Sequence, residues 1–269
     1  MSKLNVAIFP SLYTPRGNRG GACYHEGMNE LFISAVELPE TIGDDYPYSI
    51  AAVRGINSVA FTSPVTFFVG ENGSGKSTII EAIAVAAGFN AEGGKKSYAF
   101  STQNTTSELA DMITLIRGIH REKSGYFLRA ESFYTTANYA ESGTYGPSGD
   151  PSPLYFDGKR IHQQSHGEAF MSIIRDFDTG LFIFDEPESA LSPQRQMELI
   201  VLMNELVKRG AQLIIATHSP ILLAFPGAII YQLSGGGIHQ TKYEDVDHVR
   251  LTRDFLNAPG QFLRRLLKE

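Results

Sequence analysis

The run Gly70-Glu71-Asn72-Gly73-Ser74-Gly75-Lys76-Ser77-Thr78 has the spacing G-x-x-x-x-G-K-[ST], a combination of residue types suited to holding phosphate. Glycines let backbone N–H groups converge on a β-phosphate at a helix N-terminus. Lys76 can reach the β- and γ-phosphates, and the Ser77 hydroxyl can ligate Mg²⁺. A second constellation is Leu181-Phe182-Ile183-Phe184-Asp185-Glu186, an apolar run that ends in two acids. Adjacent carboxylates at the tip of a buried strand repel each other, so a bound metal ion is their natural counter-charge. A third is Gln212-Leu213-Ile214-Ile215-Ala216-Thr217-His218-Ser219, which ends in a histidine. A lone histidine at a strand end is more often structural than functional, so His218 gains meaning only from its company.

These groups need a sheet to carry them and helices to cover it. Val65–Val69 reads as a buried strand entering the glycine-rich loop, and 78–87 reads as a helix stopped by Gly88. Upstream, 31–38 and 48–53 alternate like an antiparallel pair joined by the polar turn Gly43-Asp44-Asp45. Residues 90–96 form a flexible connection, followed by a helix near 107–118 and a strand at 125–130. Residues 138–160, rich in Gly, Pro, Ser and Tyr and without period, read as a mobile loop. Ser165-His166-Gly167-Glu168 before an apolar run forms a capping box. Ser192 caps a helix with Pro193 in its first turn and Gly210 as its stop, and Met197, Ile200, Val201 and Val207 form the face expected against the sheet. Residues 228–233 read as a last strand, 234–237 as a turn and 244–268 as helices. The irregular first thirty residues read as an extension, leaving 31–269 as a single domain. No heptad run announces a coiled-coil arm.

Composition bounds the rest. With 269 residues, 42% hydrophobic and 19% charged, the chain can bury a sizeable core. A net charge of −6 argues against a surface that grips nucleic acid all over. The basic end Arg264, Arg265 and Lys268 suits a helix C-terminus first and nucleic acid only second. One cysteine, Cys23, excludes an internal disulfide framework and suits a reducing compartment. No signal-like start and no apolar run of about eighteen residues is present, so a cytoplasmic protein without direct membrane insertion is expected.

In this order, over roughly residues 30–235, the motifs resemble ABC-type ATPases, most closely the small stand-alone members of the SMC and repair-ATPase branch. Ser165-His166-Gly167-Glu168 stands where that family carries its signature, usually Leu-Ser-Gly-Gly-Gln. Gln164 and Ser165 take the place of the Leu-Ser pair, and His166 and Glu168 depart from the common form. Glu188-Ser189-Ala190-Leu191-Ser192 resembles the loop by which paired domains touch, with Ser192 in place of the usual Asp. The resemblance implies an α/β phosphate-loop NTPase: a mostly parallel central sheet flanked by helices, plus an N-terminal antiparallel β region. It implies ATP and Mg²⁺, with Asn72, Gly73, Ser74, Gly75, Lys76, Ser77 and Thr78 at the nucleotide. Ser77, Asp185 and Gln103 would attend the metal, Glu186 the attacking water and His218 the γ-phosphate. Ser165, Gly167 and Glu168 would reach the nucleotide of an opposing subunit, giving an ATP-dependent homodimer that drives a protein client, with nucleic acid a weaker prospect. Arg54 or Tyr48 could approach the nucleotide from the β region. Two other uses are the nucleotide-binding subunit of a transporter, which needs a membrane partner, and a phosphate-loop kinase, which needs an arginine-bearing lid.

Overall fold

The computed structural model describes residues 31–38, 45–54, 57–96, 108–129, 155–156, 159–160 and 166–268. In chain order the strands are β1 (Ile33–Glu37), β2 (Ser58–Ala60), β3 (Val65–Gly70), β4 (Gly94–Lys95), β5 (Thr114–Arg117), β6 (Gly125–Arg129), β7 (Tyr155–Phe156), β8 (Lys159–Arg160), β9 (Leu181–Asp185), β10 (Gln212–Ala216), β11 (Ile229–Ser234) and β12 (Gly237–Thr241). The helices are α1 (Ala51–Arg54), α2 (Lys76–Ala86), α3 (Glu108–Met112), α4 (His166–Arg175), α5 (Pro193–Lys208), α6 (Asp247–Asn257) and α7 (Pro259–Leu267).

The central sheet has seven strands in the order β12-β11-β3-β10-β9-β6-β4. The five inner strands are parallel, and β12 and β4 close the edges antiparallel. Every residue of β9 and β10 is buried, as a parallel strand covered on both faces requires. Alternation then splits the core in two. Phe67, Phe182, Phe184, Leu213 and Ile215 face α4 and α5, while Phe68, Leu181, Ile183 and Ile214 face α2 and a small sheet, β2-β1-β5. Gln212 ties that small sheet to the large one: its side-chain amide accepts from Ile33 N at 2.9 Å and donates to Ile33 O at 2.8 Å. This is the expected α/β fold: a mostly parallel central sheet flanked by helices, with a separate antiparallel β region. Register aligns Ala216 with Phe68 on one side and with Asp185 on the other, so the β3, β9 and β10 tips open onto one edge. In such sheets ligands bind at the carboxyl ends of the strands.

Three expected elements differ. Residues 48–53 are not a strand. Ser49 N donates to Asp45 O, Ile50 N to Pro47 O and Arg54 N to Ile50 O, winding this stretch into turns that end in α1. Pro47 has no N–H to offer a ladder, and β1 pairs with β2 and β5 instead. The helix expected over 107–118 stops after α3, because Thr114 and Ile116 belong to β5, where β-branched residues suit a pleated surface. Within 138–160 the four described residues pair as β7 and β8, and the rest of that stretch lies outside the described residues, as does the N-terminal extension.

The third difference concerns half of the expected face of α5: Ile200 and Val207 pack against the core as expected, but Met197 and Val201 do not. Met197 is 45% and Val201 60% exposed, and the residues driven into the core are Leu199, Met203 and Leu206. The stripe was legible only by choosing between two adjacent apolar rows of one helix. Met203→Ala is therefore expected to cost about 2–5 kcal/mol in urea unfolding. Met197→Ala should stay within about 0.5 kcal/mol, and equal losses would contradict the packing.

Ser192 caps α5 by accepting from Arg195 N, with Pro193 in the first turn and Gly210 just past the end. No helix among the described residues is long and apolar enough to cross a membrane.

Candidate functional site

The site is built where β3 turns into α2. Gly75, at φ 98°, is the N-cap of α2, and no side chain caps the helix, which leaves its first N–H groups for an anion. A Cβ at Gly75 would come within 2.7 Å of Ile50 Cγ2, so Ile50, just before α1, backs the loop at a distance only glycine permits. Glu71, Asn72 and Gly73 are exposed at the loop tip, and Ser77 and Thr78 are half-buried in the first turn of α2. Lys76 is buried, and its Nζ folds back to donate to Gly70 O and Glu71 O, each at 3.1 Å. Burial holds the Lys76 pKa below its usual value against the pull of Glu186, Asp185 and Glu188. An incoming phosphate would supply the partner that those carbonyls supply here. Ser74 Oγ is buried and, among the described residues, has no hydrogen-bond partner.

The acids arrive from β9. Ser77 Oγ donates to Asp185 Oδ1 at 3.0 Å, joining residues 108 positions apart. Asp185 is 6% exposed, and Arg129 at the tip of β6 lies with its Nε 3.7 Å from Asp185 Oδ2. Arg129 is in turn anchored by Glu81 Oε2 at 2.6 Å and Ala91 O at 3.1 Å. Hydroxyl and carboxylate are the hard oxygen donors that Mg²⁺ accepts, and Mg²⁺ commonly uses one or two such groups plus substrate phosphates. Ser77 and Asp185 fit that mode. No group of three or more His, Cys, Asp or Glu among the described residues forms an all-protein metal cage.

Glu186 follows with φ 50° and ψ 54°, left-handed for a residue with a Cβ. Such a conformation costs on the order of 1–3 kcal/mol and persists where surroundings impose it. Here Glu186 N donates to Ala216 O at 3.0 Å, and its own carbonyl accepts from Ser189 N at 3.1 Å and Ser189 Oγ at 3.0 Å. The kink turns the Glu186 carboxylate, 39% exposed, toward His218, whose Nε2 lies 3.5 Å from Glu186 Oε1. Burial first, then Lys76, lowers the His218 pKa against the opposing pull of Glu186, so the ring is favoured in its neutral form.

One member of the cluster went unassigned in the sequence reading. Glu188 Oε1 accepts from His218 N, and the Thr217 hydroxyl also donates to this carboxylate. Burial raises the Glu188 pKa, and these donors hold the side chain against the backbone that presents His218. The signal was present as a second acid two residues after Glu186, inside a segment read only as a contact between subunits.

The remaining expected residues stand apart. Gly167 lies in the first turn of α4, where a Cβ would approach Ala190 O to 3.1 Å, so α4 starts against the 3₁₀ turn Pro187–Ala190. Glu168, on the same turn of α4, is exposed. Gln103 and Ser165 lie outside the described residues. Arg54 Nε donates to the backbone carbonyl of Tyr48 at 2.9 Å, the Tyr48 hydroxyl donates to Glu108 O at 3.4 Å, and neither residue lines the cavity beside the loop. That cavity, about 760 Å³, runs from Gly70–Ser74 past His218 to the β11–β12 turn and the first turns of α6.

Comparison with known proteins agrees with this geometry. Residues 49–142 match a family described as an AAA domain, and residues 169–224 match one described as an AAA domain, putative AbiEii toxin, Type IV TA system. The first span holds the phosphate loop, and the second holds Asp185, Glu186 and His218. A putative ABC transporter ATP-binding protein of Methanothermobacter thermautotrophicus is 27% identical over 255 residues, covering 83% of this chain and 84% of that protein. A nucleoside import ATP-binding protein of Lactococcus lactis is 24% identical over 212 residues, 71% of this chain, and the chain spans only 39% of its length. Among solved structures, cbiO1 of Clostridium perfringens aligns with 89% of this chain and 100% of its own at 16% identity and a TM-score of 0.46. The SMC head domain of Thermotoga maritima aligns with 79% of this chain and 99% of its own at 14% identity and a TM-score of 0.42. The chain is thus similar to AAA-type ATPase domains and to ABC ATP-binding proteins.

Proposed function

We propose that the chain is a Mg²⁺-dependent ATPase that works as a pair of subunits clasped around ATP. The observation that carries this reading is the meeting of three separate segments at one strand edge. The Ser77 hydroxyl reaches Asp185 at 3.0 Å, and the next residue, Glu186, faces His218 at 3.5 Å. Ser77 and Asp185 would hold Mg²⁺, which would supply counter-charge to the phosphates. The loop amides and Lys76 bind the β- and γ-phosphates and stabilise the charge that moves to the leaving oxygen. Glu186 accepts the proton of a water that attacks the γ-phosphorus while the bond to the β-phosphate oxygen breaks, giving ADP and phosphate. His218, neutral and held by Glu188, orients that water and the γ-phosphate. The signature-like segment Ser165, Gly167 and Glu168 serves the nucleotide of the opposing subunit.

Incubation of the purified chain with γ-labelled ATP tests the chemistry. Free labelled phosphate is expected, with turnover lost on chelating Mg²⁺ and in Lys76→Ala; label passing to an added acceptor would mean a kinase. A second reading, the ATP-binding subunit of a transporter, draws on the names of the relatives and requires a membrane partner. Basal hydrolysis by the isolated chain, unaltered by vesicles, favours a free-standing engine acting on a protein client.

A further inference from the structure

α6 carries a second imidazole to the phosphate end of the cavity. His248 lies in the first turn of α6 and lines the same cavity as His218 and the loop residues Asn72, Gly73 and Ser74. The His218 and His248 rings lie 5.9 Å apart between centroids, inclined at 57°. Both Nε2 atoms are buried; that of His218 faces Glu186 Oε1 at 3.5 Å, and that of His248 has no hydrogen-bond partner among the described residues. A buried polar atom without a partner is unfavourable, so His248 Nε2 beside this cavity calls for an occupant that satisfies it.

The position of His248 is fixed from three sides. Val246 and Val249 are buried in the core beneath α6. Asp247 Oδ2 accepts from Gln232 Nε2 of β11 at 2.8 Å. Tyr243, just before α6, donates its hydroxyl at 3.1 Å to the carbonyl of Pro220, two residues beyond His218. The imidazole is thus presented by the sheet and by the loop that carries His218.

We infer that His248 is a nucleotide-binding residue, donating from its ring to an oxygen of the terminal phosphate opposite His218. The inference rests on the reading of the chain as an ATP-binding protein and adds to it a residue on α6. In the nucleotide-free site His248 is kept toward its neutral form by burial first, then by His218 and Lys76, with Asp247 opposing them. An anionic phosphate reverses that balance and strengthens the hydrogen bond. A nucleoside diphosphate leaves His248 without that partner, so α6 distinguishes triphosphate from diphosphate.

The test compares ATP and ADP affinities of the full chain, His248→Ala and His248→Gln, using Mg²⁺ and calorimetry. The Ala variant is expected to lose at least about tenfold in ATP affinity while ADP affinity changes less than about twofold. Gln, which keeps an N–H donor, is expected to recover part of the ATP affinity. Circular dichroism melting shows that each variant is folded, and an ATP-specific loss is a readout that general destabilisation does not produce. Equal loss for ATP and ADP, or no loss for either, overturns the assignment. Failure of the unsubstituted chain to bind ATP at all overturns the parent reading instead, so the two failures are distinguishable.

Discussion

Glu186→Gln is expected to lower kcat by about 10²–10⁴-fold while leaving the affinity for Mg-ATP within about threefold. That loss corresponds to about 2.7–5.5 kcal/mol of transition-state stabilisation. The substitution keeps the shape of the side chain and its place on the kinked backbone, because Gln and Glu meet the same cost at φ 50°. It removes only the oxygen able to accept a proton. The groups proposed to hold the nucleotide, Lys76 and Ser77 with Asp185, lie on other segments or on the preceding residue and retain their contacts. Losing the negative charge also removes the pull that favours protonated Lys76 and His218, which leaves the His218 ring still more firmly neutral. Single-turnover hydrolysis measured beside equilibrium binding separates the effects. A variant that hydrolyses ATP at the parent rate would remove Glu186 from the chemistry; a variant that no longer binds ATP would make it a binding residue.

Much of this site was legible in the sequence because its parts are local. The phosphate loop is one stretch of nine residues, and β9 and β10 are apolar runs long enough to be buried and short enough to be strands. Each ends at or just before a polar residue of the candidate site, Asp185 for β9 and His218 for β10. What sequence could not supply was pairing across distance. Residues 48–53 alternate like a strand, yet β1 finds better partners in β2 and β5, and hydrogen bonds within 45–54 compete successfully. Glu188 looked like part of a surface loop because its role as acceptor for the His218 N–H depends on β9 lying next to β10. His248 stands 30 residues after His218, and nothing in its neighbours announces that α6 returns it to the same cavity. Arg129 is similar: only the β6–β9 register, which sets Arg129 opposite Asp185, brings it to that carboxylate.

The second large effect concerns assembly. In light scattering, Glu186→Gln is expected to run at the single-chain mass of 29.5 kDa without nucleotide and at twice that mass with Mg-ATP. The physical argument is one of incomplete sites. The phosphate loop tip is exposed at Glu71, Asn72 and Gly73, and α4 starts with a half-buried Gly167 and an exposed Glu168 that do not line the cavity beside that loop. A two-fold axis that sets each α4 N-terminus against the partner's loop satisfies both surfaces at once, because an isologous contact repeats itself. The helix N-terminus then faces the γ-phosphate, where its N–H groups and dipole are stabilising. ATP contributes binding energy on both sides of the contact, and ADP, lacking the γ-phosphate, contributes on one. On the proposed two-subunit reading, blocking turnover would therefore trap the pair, whereas hydrolysis in the parent chain would release it. Ser165→Asp sets a carboxylate against the phosphate and is expected to abolish both the ATP-dependent dimer and turnover while leaving ATP binding to the single chain intact. Lys76→Ala, which loses the nucleotide itself, should stay monomeric under every condition. A Glu186→Gln protein that keeps the single-chain mass in saturating Mg-ATP would refute the two-subunit site and leave hydrolysis to the residues of one chain.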